Sequence, residues 1–131
     1  MEAPARLSAE DVLQASSGML QKRLYAITTV PTGGLGPVLA VMQEHLAFQV
    51  ELERQGVMYA AGPLFTEDEQ HWLGEGLVVV RAASRAEAVA IAERDPMHRA
   101  GARSFTVRPW LINEGSVTFR LDYSTRKFTL T

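Results

Sequence analysis

Residues 37–64 read PVLAVMQEHLAFQVELERQGVMYAAGPL, and this stretch holds the clearest change of pattern in the chain. Apolar residues first recur at steps of three and four, which predicts an amphipathic helix over about residues 37–55. Pro37 suits the first turn of that helix, and Gly56 suits the position just after its end. The next residues, 57–64, are typical of a short strand that closes on a Gly-Pro pair. The stretch therefore predicts one helix followed directly by one strand.

The flanking segments complete an alternation of strands and helices. They predict a strand at residues 22–30, a third strand strongest at residues 77–81, a second helix from Ser84 to about Arg94 and a fourth strand at residues 103–112. Ser84 and Glu87 have the spacing of a capping box. Asp95-Pro96 should end the helix, because the residue before a proline disfavours helical angles. The core order is β-α-β-β-α-β, which predicts a ferredoxin-like α+β domain with two helices on one face of an antiparallel sheet.

Both ends of the chain extend beyond this core. The predicted parts are an N-terminal extension at residues 1–20, the α+β domain at residues 21–112 and a C-terminal β-hairpin extension at residues 113–131. Ser8 and Asp11 have capping-box spacing, which predicts a short helix at about residues 8–16. The hairpin is indicated by alternating apolar residues on either side of a turn near residues 123–126.

Two helices on one face leave the other face of the predicted sheet uncovered. We expect Tyr25 and Val79 to contribute apolar surface to that open face. An exposed apolar sheet favours a partner, so the pattern predicts a homodimer that pairs face to face. The two terminal extensions are expected to enlarge the same contact.

The composition limits the possible partners. With 131 residues, 47% of them apolar and 21% charged, the chain fits one globular domain with its own core. Its net charge is -2 and no long basic run occurs, which argues against a nucleic-acid partner. No apolar run approaches the roughly 20 residues that cross a bilayer. The N-terminus carries acidic residues where a signal peptide is basic and then apolar, so we expect a cytoplasmic protein without a membrane partner.

Three segments together resemble the YciI-like (YCII-related) family: residues 44–64, residues 84–96 and residues 100–110. The shared features follow the order of the chain: His45-Leu46 in the first helix, Gly56 before the second strand, Ala61-Gly62-Pro63 at the end of that strand, Ser84–Ala88 at the start of the second helix, Asp95-Pro96 after it and Pro109-Trp110 late in the fourth strand. The resemblance covers about residues 22–112. It implies ferredoxin-like protomers that pair as a dimeric α+β barrel, with a site around His45 and Asp95. It also implies proton transfer and elimination on small ring compounds, as in a dehydrochlorinase.

His45 and Asp95 are also candidates on chemical grounds. His45 lies on the apolar face of its helix and should be partly desolvated, so its charge state depends on a partner. A carboxylate beside the ring would fix its tautomer and suit it to act as a general base. Asp95 can be that partner if both helices cover the same face of the sheet. Alternatively, His45 is a buried histidine bonded to a carbonyl, and Asp95 bonds nearby amides at its helix end.

Five further residues are candidates for contact with a small-molecule substrate. They are Gly62, Pro63, His98, Arg108 and Trp110. Gly62-Pro63 ends a strand and can shape a pocket wall, and His98 follows the Asp-Pro pair closely. An arginine on the fourth strand, Arg103 or Arg108, could bind a substrate carboxylate through two parallel hydrogen bonds or could be solvated at the surface. Trp110 could floor the pocket or pack in the dimer interface.

The chain shows no pattern that calls for a metal or a cofactor. Its three histidines, His45, His71 and His98, match no local metal-binding spacing, and it has no cysteine. The glycine-rich loop at residues 31–37 lacks the lysine of a phosphate-binding loop and the spacing of a dinucleotide fingerprint. We therefore expect neither a metal nor a cofactor.

The leading hypothesis for function is a small-molecule enzyme of lyase or isomerase type. His45 would move a proton, oriented by Asp95, in a pocket that the loop from Gly62 to Trp72 covers. Two alternatives need no catalysis: a protein that binds a small ligand in the same pocket, and a purely structural dimerisation module. A concave pocket beside paired His45 and Asp95 side chains would distinguish the first two hypotheses from the third.

Overall fold

The computed structural model describes residues 2–130. Its helices are α1 (Ala9–Ala15), α2 (Leu35–Ala40), α3 (Met42–Arg54), α4 (Arg85–Arg94) and α5 (Pro96–Arg99). Its strands are β1 (Lys22–Pro31), β2 (Met58–Pro63), β3 (Gly76–Val80), β4 (Arg103–Ile112), β5 (Phe119–Asp122) and β6 (Lys127–Leu130). The chain folds into two compact units: one spans Arg23–Trp110, and the other combines the two chain ends, up to Lys22 and from Leu111. The predicted division into three parts stays a prediction.

Four strands form the main sheet in the order β2-β3-β1-β4. The β1–β3 and β2–β3 pairs are antiparallel, with Tyr25 opposite Val80 in the first and Gly62 opposite Leu77 in the second. This order is the one that a β-α-β-β-α-β chain produces when each helix connection skips one strand position. The predicted ferredoxin-like α+β fold is confirmed.

The larger of two buried apolar clusters lies between this sheet and the helices. It includes Ile27 of β1, Leu52 of α3, Val80 of β3, Ile91 of α4 and Val107 of β4. These residues come from alternate positions of the strands and from one face of each helix, as a two-layer domain requires. Full burial of each such side chain stabilises the folded state by about 1.5–3 kcal/mol.

One prediction about the open sheet face is wrong. Tyr25 packs against the helix-side cluster, because it lies opposite Val80, which belongs to that cluster. Val79 lies opposite Ala26 and therefore does point to the other face. Val79 is only 3% exposed within the single chain, so it does not offer the exposed apolar surface that we expected.

The predicted helix over residues 37–55 is divided into α2 and α3. Val41 between them has φ -115° and ψ 14°, which is outside the helical region. The packing partner changes only after the break, since Met42 at the start of α3 still packs in the same cluster as α2. Val38 of α2 belongs to a second buried cluster with Met97 and Ala102, whereas Leu52 of α3 belongs to the helix-side cluster. Apolar periodicity alone could not locate the break, since both segments keep helical spacing.

The predicted caps and helix ends mostly agree with the structure. The capping box of Ser8 and Asp11 is formed in both directions at the start of α1. Ser84 caps α4 by accepting from the Glu87 amide, while the Glu87 carboxylate accepts from Ala83 instead of Ser84. Helix α4 ends at Arg94 as predicted, but the chain then enters the short helix α5, which was not predicted.

In the unit formed by the chain ends, β5 and β6 make the predicted hairpin. Phe119 pairs with Leu130 and Leu121 pairs with Phe128, across a turn at residues 123–126. The rings of Phe119 and Phe128 meet edge to face with centroids 6.4 Å apart.

Among the helices of residues 2–130, none combines the length and the apolar character needed to cross a bilayer.

Candidate active site

His45 and Asp95 form a buried pair. His45 lies on α3 and is 6% exposed, and Asp95 follows α4 and is 4% exposed. Nδ1 of His45 lies 2.8 Å from Oδ1 and 2.9 Å from Oδ2 of Asp95. A carboxylate only accepts, so Nδ1 carries the proton and donates it to this contact. Nε2 is then the nitrogen with the free lone pair in the neutral ring.

The Asp95-Pro96 dipeptide positions the carboxylate. Asp95 has an extended backbone (φ -63°, ψ 128°), as the residue before a proline prefers, and this ends α4. Pro96 then occupies the first turn of α5, and Asp95 caps that helix by accepting from the Met97 amide at 2.9 Å. The carboxylate thus holds a helix-end amide and the imidazole at the same time. The two roles that we weighed for Asp95 are combined in one side chain.

A cavity of about 440 Å³ opens beside His45, within the unit of residues 23–110. Its lining comprises Met42, His45, Leu46, Gln49, Ala61, Gly62, Pro63, Phe65, Trp72, Gly76, Val78 and Arg103. The volume is in the range of small-molecule sites, and most of the lining is apolar with a few polar groups. The arrangement can therefore hold a small ring compound against the imidazole.

The loop from β2 to β3 contributes Phe65 and Trp72 to the cavity wall. The loop is held at its base by the Leu64 amide, which donates to the Glu75 carbonyl at 3.1 Å. The Trp72 indole N–H donates to the same carbonyl at 2.7 Å. The aromatic side chain is therefore fixed in place by a hydrogen bond as well as by packing.

The five predicted substrate-contact residues are distributed over different places. Gly62 and Pro63 line the cavity. His98 does not; it borders a much smaller pocket next to Asp95. Arg108 and Trp110 are also absent from the cavity lining. They occupy the alternate positions of β4 relative to Val107, which faces the helices, so both lie on the other face of the sheet.

His98 lies outside the cavity and contacts Ala92 and Phe105. Its Nδ1–H donates to the Ala92 carbonyl at 2.6 Å, and its ring lies 4.5 Å from that of Phe105. Burial lowers the pKa of His98, while the bond to Ala92 and the charge of Asp95 act in the opposite direction more weakly. Nε2 of His98 is buried without a hydrogen-bond partner among the described residues. The ring is therefore neutral at neutral pH.

Arg103 is the cation that the structure places in the cavity wall. It is 6% exposed, and its Nε–H donates to the Gly74 carbonyl at 2.9 Å. Burial lowers the pKa of Arg103 and the charge of Asp95 opposes this, but a guanidinium stays protonated at neutral pH. The signal in the sequence is the alternation of β4: Arg103 shares the inward face with Phe105 and Val107.

The Gly74 position requires a glycine. Its φ is +97°, which side-chain-bearing residues rarely adopt, and an added Cβ would lie 2.6 Å from Cγ of Pro31. The close approach brings the Gly74 carbonyl to Arg103.

Within the part of the chain from residue 2 to residue 130, no group of three or more His, Asp or Glu side chains is arranged to hold a metal ion.

The sheet and the site define a ferredoxin-like α+β domain with a buried His–Asp pair beside a cavity of ligand size. The chain belongs to the YCII-related domain family, whose model matches residues 23–111. A solved structure with the same fold is the 5-chloro-2-hydroxyhydroquinone dehydrochlorinase of Burkholderia phenoliruptrix AC1100, in complex with 2,5-dihydroxybenzoquinone. It is 20% identical with a TM-score of 0.51, and the alignment covers 66% of this chain and 92% of that one. No curated protein matches the sequence.

Proposed function

We propose that this protein is a small-molecule enzyme of lyase or isomerase type, in which His45 transfers a proton and Asp95 orients its ring. The observation that carries the proposal is the contact of Nδ1 of His45 with both carboxylate oxygens of Asp95, at 2.8 and 2.9 Å, in a ring that lines the cavity. This contact leaves Nε2 as the nitrogen that can meet a bound molecule. A histidine held in this way is suited to general acid–base catalysis.

The proposed chemistry begins with removal of a proton from a carbon of the substrate. Nε2 of His45 accepts the proton, and the electron pair of the C–H bond forms a new double bond. In an elimination, the leaving group departs with its bonding electrons; loss of chloride would give a dehydrochlorination. In an isomerisation, an existing double bond of the substrate breaks as the new one forms, and the imidazolium returns the proton to the atom that receives that electron pair. Asp95 stabilises the imidazolium in both cases, because its carboxylate already accepts from Nδ1.

The apolar lining supports this role. Met42, Leu46, Phe65 and Trp72 surround the place where a ring would lie. Charges interact more strongly where such side chains exclude water, which favours proton transfer between His45 and a bound molecule. The similar solved structure is a dehydrochlorinase with a ring compound bound, and this supports a small ring compound as the substrate here. The proposed proton transfer needs no cofactor.

A ligand-binding protein without catalysis is the remaining alternative, since the same cavity could hold a molecule that does not react. The third hypothesis, a structural dimerisation module, does not account for the cavity next to His45. Binding and turnover must therefore be measured separately.

The test is a screen of small ring acids, lactones and chlorinated quinols for binding, followed by measurement of turnover for each ligand found. Chloride release or exchange of carbon-bound hydrogen with deuterated solvent reports the reaction. His45→Gln should lower turnover by about 10²- to 10⁴-fold, the usual contribution of a general base. His71→Gln is the matched control, because His71 is not among the residues that line the cavity. Ligands that bind the wild type but never react would favour the binding protein instead.

A further inference from the structure

Arg103 is a buried cation with unused hydrogen-bond donors. Its Nε–H is bonded to the Gly74 carbonyl, but Nη1 and Nη2 form no hydrogen bond with any described residue. No carboxylate of residues 2–130 lies within 4.0 Å of its guanidinium. Neither terminal nitrogen is among the buried atoms that lack a partner, so both border open space. Because Arg103 lines the cavity, that open space is the place where a substrate would bind.

The nearest buried acid does not neutralise this cation by direct contact. Both oxygens of Asp95 are bonded to His45, and Oδ1 also accepts from the Met97 amide. The charge of Asp95 acts on Arg103 only through space. A buried charge without a bonded counter-ion is costly, and a bound anion would relieve that cost.

The surroundings of Arg103 fix the orientation of its guanidinium. The bond from Nε to Gly74 holds one edge, and Cζ lies 5.9 Å from the centre of the Trp72 ring. Gly76 is a close neighbour of the guanidinium, since an added Cβ there would be in ordinary van der Waals contact with Nη1 at 4.0 Å. The edge that remains carries Nη1 and Nη2, whose parallel N–H groups match the two oxygens of a carboxylate.

The rest of the lining favours a carboxylate over a more highly charged group. Arg103 is the one arginine among the described lining residues, and no lysine accompanies it. A carboxylate carries the single negative charge that one guanidinium balances, whereas a phosphate monoester carries about 1.5 to 2 negative charges near neutral pH. The apolar side chains around it suit a flat ring.

We propose that Arg103 determines specificity by binding the carboxylate of a small ring acid, so that the ring lies between Arg103 and His45. The inference rests on the proposed function of this same cavity and names its class of substrate. The carboxylate receives two hydrogen bonds from Nη1 and Nη2, and a carbon of the ring faces Nε2 of His45. Arg103 binds and orients the substrate and does not take the proton.

The test compares benzoate with benzamide, which have similar shape and differ in charge, by calorimetric titration of the full chain. The wild type should bind benzoate at least about tenfold more tightly, as expected for hydrogen bonds to a charged group. Arg103→Gln should remove this preference through loss of benzoate affinity, while benzamide affinity stays within about threefold. Arg108→Gln is the matched control from the same strand and should keep the preference, because Arg108 does not line the cavity.

Arg103→Lys keeps the charge but loses the second parallel N–H group. The Arg103→Lys variant should show a reduced preference for benzoate over benzamide. If Arg103→Gln does not fold, this variant tests the role of Arg103 in its place. The inference is overturned if the wild type does not prefer benzoate, or if the preference survives in a folded Arg103→Gln. His45→Gln should keep the preference and lose turnover. A His45→Gln variant that turns over normally would sink the proposed base while leaving the role of Arg103 intact.

Discussion

Nδ1 of His45 contacts both carboxylate oxygens of Asp95 across a separation of 50 positions in the chain. The two residues approach each other because α3 and α4 both cover the helix-side cluster, where Leu52 and Ile91 are buried. The sharp turn at Asp95-Pro96 then directs the carboxylate toward α3, and the contact follows from the fold without any bound ligand.

Asp95→Ala should destabilise the protein markedly. The change removes the cap of α5 and leaves a buried imidazole without its partner. A buried donor left without its partner costs about 1–3 kcal/mol in the free energy of unfolding, and the loss of a helix cap adds about 0.5–2 kcal/mol. Asp122→Ala is the control, since Asp122 pairs with Arg120 on the exposed hairpin and should contribute less than about 1 kcal/mol. Urea denaturation measures the free energy of unfolding of both variants. Equal losses in the two would contradict a stabilising role for the buried contacts of Asp95.

Gly74→Ala should also reduce stability, by more than about 1 kcal/mol, because of the φ of +97° and the contact with Pro31. Gly18→Ala provides the comparison: nothing lies within 4 Å of its added Cβ, and its φ is not in the left-handed range. Thermal denaturation of the two variants separates the effect of local geometry from a general effect of alanine. Similar melting temperatures would contradict the close approach at Gly74.

His98 should make stability depend on pH below neutrality. Burial lowers the pKa of His98 in the folded protein below the ordinary value of 6.5, so the unfolded chain takes up this proton more readily. The contribution of His98 to the free energy of unfolding is fully present above about pH 6.5, and it is lost as the pH falls toward the pKa of His98 in the folded protein. His98→Asn should therefore lose less stability than the wild type between about pH 7.5 and pH 5.5. Parallel stability profiles of the two proteins would contradict this assignment.

The hairpin of β5 and β6 should contribute to the predicted homodimer. Phe119 and Phe128 are 67% and 72% exposed in the single chain, which favours a partner surface. Truncation after Asn113, or the double change Phe119→Ser and Phe128→Ser, should lower the mass seen by light scattering at low concentration. Tyr123→Ser in the hairpin turn is the control. An unchanged mass in the double variant would exclude the hairpin from self-association.

Much of the fold could be predicted because local patterns and final structure agree. Strand β4 has the predicted bounds, since half of its ten residues are β-branched or aromatic: Phe105, Thr106, Val107, Trp110 and Ile112. The break at Val41 could not be predicted, because it depends on which buried cluster each helix segment joins. The side of the sheet on which Tyr25 lies depends on its register with Val80, which the sequence of one strand does not contain.

The candidate site could be predicted in part. His45 and Asp95 were indicated by helix periodicity, by the Asp-Pro pair and by family resemblance, and the structure pairs them. The choice of Arg108 over Arg103 overlooked strand alternation, which assigns Arg103 to the face of Val107. The loop from Gly62 to Trp72 was expected to cover the pocket, but the sequence does not determine that Phe65 and Trp72 are the loop side chains that line the cavity.

The most direct test of the proposed proton transfer is the tautomer of the neutral His45 ring, measured by nitrogen-15 magnetic resonance of the full chain. We predict a proton on Nδ1, held by Asp95, and an unprotonated Nε2. Asp95→Asn should weaken that hydrogen bond and shift the Nδ1 resonance. A ring with its single proton on Nε2 would contradict the account, because His45 could not then accept a proton from a molecule in the cavity.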